Sequence, residues 1–171
     1  MSEEKDVLKL LLSNDEEILW SYIPFVEHIK KKRDRLYLEE TKIFITQKKV
    51  FALFHITMVY IILLSEVEYY FTEEVEKAPK HITNVFLKIT HKDKESSYNT
   101  NYFFRPEKNI LEKDTGWEHR YPSLEAFIQL PNVSEKKELI HILKGVLNIR
   151  EDIPPLKWKK KYNWNMFPFI Y

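Results

Sequence analysis

Between residues 36 and 70 the apolar positions fall into short runs rich in β-branched and aromatic side chains: LYLEET, KIFITQ, KVFALFHI and MVYIILLSEVEYY. Side chains of this kind fit a pleated, half-buried surface, and no glycine interrupts them, so the stretch predicts three or four consecutive antiparallel strands. ITNVFLKIT continues the pattern. Val85, Leu87 and Ile89 alternate with Phe86 and Lys88, which predicts a strand with one buried face. Strand patterning resumes at residues 98–104 and 117–121, with turns expected at HKDKESS and around Gly116.

From Ser134 the period changes to 3.6. Leu139, Ile142, Leu143, Val146 and Leu147 form one stripe, which predicts an amphipathic helix with Ser134 as its N-cap. Gly145 inside it should cost about 1 kcal/mol relative to alanine, so the helix is expected to rely on docking against the sheet. Leu8, Leu11 and Leu12 suggest a short N-terminal helix, followed by a second turn or a first strand near Trp20. The expected fold is α+β and mostly β: antiparallel sheets or a partly open barrel, with an amphipathic C-terminal helix and a short N-terminal one. The expected organisation is an N-terminal helical extension (1–13), a domain (14–150), and a basic, aromatic tail (151–171).

Composition then narrows the chemistry. The 171 residues are 44% apolar and 15% aromatic, enough to fill a core. Lys and Arg total 27 against 26 Asp and Glu, for a net charge of +1, so any electrostatic function must be local. The absence of cysteine removes disulfides, thiolate metal sites and cysteine nucleophiles. Gly116 and Gly145 are the only glycines, which excludes phosphate-cradling loops, dinucleotide fingerprints and nucleophile elbows, all of which need glycines at fixed spacing. The acidic start MSEEKD lacks the features of a signal peptide, and the longest apolar run, residues 50–64, falls short of the roughly 20 residues of a membrane helix. A cytoplasmic protein is expected.

Four segments narrow the plan further. DEEILW at 15–20, YLEETKIFI at 37–45, ILLSEVEYY at 62–70 and ELIHILKGVL at 138–147 resemble, in that order, signature stretches of bacterial pleckstrin-homology-like domains. The resemblance covers roughly residues 14–148 and implies two near-orthogonal antiparallel sheets closed by a C-terminal helix. Asp15 stands where that family commonly has glycine, and Glu40-Thr41-Lys42 where it has an Asn-Lys or Asn-Arg turn. The resemblance also implies that loops between early strands, where eukaryotic relatives hold phosphoinositide headgroups, are candidate ligand sites.

Two features could carry function. Lys30, Lys31, Lys32, Arg33 and Arg35 are expected in a loop just before a strand, with Lys48 and Lys49 in a following turn. Of these, Lys31, Lys32, Arg33, Arg35, Lys48 and Lys49 are the candidate ligand-binding cations, since clustered cations can hold phosphate oxygens. A solvated charged loop is the plainer reading. The tail interleaves Trp158, Tyr162, Trp164 and Phe167 with Lys160 and other lysines; these five are candidate partner-binding residues, unless the aromatics fold back onto their own domain. The six histidines show no metal-ligand spacing. Glu66 and Glu68 are expected to share the solvent face of a strand. No cofactor, metal or catalytic activity is expected. The expected partner is another protein, with an anionic membrane surface as the alternative; nucleic acid is not expected, and the oligomeric state is open.

Overall fold

The computed structural model describes residues 2–55, 57–76, 78–79, 81–90, 100–113 and 125–155. Helix α1 (Ser2–Leu11) has acidic residues in its first turn and Lys9 in its last, matching the helix dipole. Strand β1 (Ile18–Tyr22) follows, then helix α2 (Lys32–Glu39). The hydrophobic meander expected from the sequence forms β2 (Thr41–Thr46), β3 (Lys49–Phe54) and β4 (Met58–Leu63). A 3-10 turn at Leu64–Glu66 leads into β5 (Val67–Glu74), after which come β6 (Thr83–Thr90), β7 (Thr100–Arg105), β8 (Ile110–Lys113) and β9 (Glu125–Val133). Helix α3 (Lys136–Ile140) continues as a π-helical turn (His141–Val146), and the short β10 (Arg150–Glu151) ends the described chain.

Two sheets result. One is antiparallel and six-stranded, in the order β1-β2-β3-β4-β7-β8; the other has the order β10-β5-β6-β9, antiparallel except that β10 joins β5 in parallel. The expected mostly-β α+β architecture is present, without closure into a barrel. Register explains the layering. Ile43, Ala52 and Tyr60 stand opposite one another across β2, β3 and β4, as do Ile45, Val50 and Ile62, and this face meets Tyr70, Leu87 and Ile128 of the second sheet. Leu139, Leu143 and Ile149 enter the same core. The opposite face of the first sheet carries Phe44, Phe51, Leu53 and Val59, which pack with Val7 and Leu11 of α1. The N-terminal helix is therefore part of the packing.

The sheets are stitched where β1 and β9 end. Tyr22 donates its hydroxyl to the Pro131 carbonyl (2.9 Å), the Phe25 amide donates to Asn132 O (3.0 Å), and Asn132 Nδ2 donates to Phe25 O (2.8 Å). Asn132 holds a positive φ of 47°, a conformation asparagine tolerates better than most residues.

Five expectations need correction. LYLEET is not a strand: Leu36, Leu38 and Glu39 lie in α2, where the straight-chain helix formers of KRDRLYLE and an Arg35–Glu39 pair one turn apart outweigh the few β-formers. MVYIILLSEVEYY is not one strand either; it splits at the 3-10 turn and its halves belong to different sheets. That turn buries Glu66, while Glu68 remains half exposed, so the two glutamates do not share a solvent face. The strand β6 is buried on both faces, Phe86 and Lys88 included. At the C-terminal helix the N-cap position is Glu135 and not Ser134, with no side-chain cap bond. The turns expected at HKDKESS and around Gly116, and the strand at 117–121, lie outside the described residues.

Candidate binding surface

The basic run spans the start of α2, where the sequence suggested a loop: Lys32, Arg33 and Arg35 lie on the helix, Lys31 is its N-cap and Lys30 precedes it. Lys30, Lys31, Lys32, Arg33, Arg35 and Leu36 lie at the surface, and the partly buried Leu38 packs against the core. Among the described residues Lys30, Lys31, Lys32 and Arg33 have no ion pair, whereas Arg35 Nε meets Glu39 Oε1 at 3.0 Å. Beside the helix C-terminus the β3–β4 turn brings His55 Nε2 to Glu40 Oε2 (2.5 Å), with His55 at a φ of 56°.

Lys48 and Lys49 are elsewhere. Lys48 sits in the β2–β3 turn and Lys49 opens β3, at the far end of β2 from α2, and six residues of strand separate the two ends of β2 by about 20 Å. Lys48 Nζ meets Asp15 Oδ1 at 2.8 Å, and the Lys48 ammonium is the main reason that the exposed Asp15 carboxyl falls to about 2. Lys49 donates to Glu16 Oε1 (3.0 Å) and to the Leu11 carbonyl at the end of α1. Glu16 also accepts from Thr46 Oγ1 (2.5 Å) and from the Ser13 amide (3.2 Å). The six candidate cations thus fall into two groups: Lys32, Arg33 and Arg35 lie on α2 with Lys31 as its N-cap, while Lys48 and Lys49 tie the α1–β1 connection to the first sheet. Trp158, Lys160, Tyr162, Trp164 and Phe167 lie outside the described residues.

A second surface feature had no signal in the sequence. An open groove of about 910 Å³ is lined by Glu74, His81, Thr83, Glu135, Lys136 and Glu138, among others. A hydrogen bond and repulsion from Glu138 push the Glu135 carboxyl above its usual range. Lys136 Nζ meets Glu74 Oε1 at 3.4 Å. The groove forms because α3 starts beside the β5–β6 turn, a long-range juxtaposition invisible to local patterning.

Between the sheets there is a void of about 10 Å³ lined by Ile43, Val50, Tyr60, Ile62, Ile128 and Leu130. Its apolar walls give a water no partners, and it is far too small for an organic ligand. Among the described residues no three His, Asp or Glu side chains converge to hold a metal ion, and no helix is long and apolar enough to cross a membrane.

No family model, curated protein or solved structure matches this chain. The reading of its surface therefore rests on its own geometry and charge.

Proposed function

We propose that this chain is a non-catalytic binding module on a pleckstrin-homology-like plan, and that it recognises another protein, in the cytoplasm, through the basic face of α2. One observation carries the reading. Lys42, Lys48, Lys49, Lys88, Arg105, Lys136 and Arg150 each meet a carboxylate, whereas the contiguous run from Lys30 to Arg33 has no such partner among the described residues. A concentrated positive patch at the start of a helix suits an acidic protein surface, to which it gives both steering and charge-assisted hydrogen bonds.

A second reading, contact with anionic lipid headgroups, is favoured by Leu36. It is 46% exposed in the same helix as Lys32 and Arg33, and an apolar side chain flanked by cations suits a membrane interface. The full chain and a Lys31→Glu/Lys32→Glu/Arg33→Glu variant, compared in affinity capture and in co-sedimentation with phosphatidylserine-containing and neutral vesicles, separate the two. A discrete protein retained by the natural chain and lost from the variant, without vesicle pelleting, is the expected result. Salt-sensitive pelleting with anionic vesicles alone would replace it with the lipid reading, and identical behaviour of the two chains would remove α2 from the function.

A further inference from the structure

The groove beside the start of α3 holds about 910 Å³, the scale of a small-molecule site. Thr83 lines it and is fully buried, yet its Oγ1 has no hydrogen-bond partner. Buried hydroxyls are normally paired, so one left open beside a groove marks a place for an incoming polar group. Strand alternation gives Thr83 the same direction as Val85 and Leu87, which share the core beneath the C-terminal helix with Leu139 and Leu143. Across from it β9 carries one extra residue: Thr83 stands opposite Val133, but Val85 opposite Leu130. Bulges of this kind re-aim side chains beside sites.

The charged lining is unevenly matched. Lys136 Nζ lies 3.4 Å from Glu74 Oε1, which leaves Glu135 and Glu138 against Lys137 alone. Glu135 and Glu138 stand three residues apart, both exposed, and among the described residues no cationic side chain pairs with either. A hydrogen bond and repulsion from Glu138 hold the Glu135 carboxyl above its usual range, so a shared proton stands where a cation would fit.

We propose that this groove binds a linear polyamine, one ammonium group lying between Glu135 and Glu138, a second nitrogen donating to Thr83 Oγ1, and the methylenes running along Ile140. The alternatives fit the lining less well. An anion meets the surplus of carboxylate. A metal ion finds no set of three protein ligands among the described residues. A quaternary ammonium brings charge without an N–H for the hydroxyl. A chain of methylenes punctuated by nitrogens supplies the charge, the donor and the apolar contact that Ile140 offers. The carboxylate pair and the hydroxyl come from α3 and β6, so this inference is independent of what α2 binds.

The test uses the full chain, isotope-labelled, with spermidine as the probe. Amide shifts should saturate at roughly millimolar spermidine or below and concentrate at His81, Thr83 and residues 134–140. Glu135→Gln/Glu138→Gln should weaken binding at least about tenfold, and Thr83→Val several-fold. Glu138→Gln alone gives the same reading where the double change unsettles α3. The Thr83 hydroxyl has no partner to lose, so Thr83→Val should keep or raise the denaturation midpoint. A lower midpoint would give the hydroxyl an internal role and overturn the proposal. So would shifts that tetramethylammonium or magnesium ions reproduce at equal ionic strength, which reduce the groove to general screening, and so would binding that Thr83→Val leaves intact. A blocked lysine tripeptide that binds where spermidine does not would make the groove a peptide site and overturn the proposal as well.

Discussion

Glu16 shows how one carboxylate holds three parts of the chain. Burial pushes its carboxyl up, but the Thr46 hydroxyl, the Ser13 amide and the Lys49 ammonium outweigh that and leave it below its usual value. A group depressed in the folded state adds stability above its unfolded-state value and loses it as pH falls through the folded one. Glu16→Gln should therefore lower unfolding free energy at neutral pH by about 2 kcal/mol, and the gap to the natural chain should close below about pH 4; denaturant titrations at a series of pH values measure both. Asp15, fully at the surface, provides a spectroscopic counterpart. Its carboxyl should titrate near 2 by NMR and return toward the ordinary carboxylate range in Lys48→Ala.

At the scale of elements, the C-terminal helix changes pitch where the sequence shows only a period of 3.6. Leu147 N donates to Ile142 O and Ile149 N to Leu143 O, spacings wider than an α-helix uses. Leu139 and Leu143 stay buried and Ile142 and Leu147 pack partly against the core, but Val146 is 45% exposed and drops out of the stripe. Gly145 has no positive φ, and an added Cβ would come within 3.2 Å of His141 Nδ1. His141 is exposed and can turn away. Gly145→Ala should then raise stability by up to about 1 kcal/mol, read as a higher denaturation midpoint. The meander from β2 to β4 was legible because strand periodicity is local. α2 was less so, since the alternation of Leu36, Tyr37 and Leu38 running into Thr41 looks like strand, while the Arg35–Glu39 pairing that favours a helix needs the helix to exist before it counts. The division of the cations between α2 and the β2–β3 turn was not legible at all, because it depends on a helix, ahead of β2, that local patterning read as strand.

For the whole molecule, the seam between the sheets is the place where one side chain matters most. Asn132 combines a positive φ, a hydrogen bond from its side chain to Phe25 O and one from its backbone amide to Asn84 Oδ1. Asn132→Ala should cost about 2 kcal/mol by lost bonding and backbone strain, measured by chemical unfolding, and Tyr22→Phe about 1 kcal/mol at the same seam. The 3-10 turn at Leu64–Glu66 has a consequence in time as well as in space. Before it, α1 and β1 to β4 pair with near neighbours. After it, β5 and β6 pair with each other, but β9 comes only after the excursion through β7 and β8, and β10 meets β5 across 81 residues. Local pairings form fast and distant ones slowly. A nascent or refolding chain thus completes most of its first sheet while the β5–β6 hairpin waits, both apolar faces open, for its last strands. Pulse-labelled amides of β2 to β4 should gain protection before those of β9. Aggregation of this protein should begin from that waiting hairpin, with a yield that depends on how quickly the C-terminal third arrives.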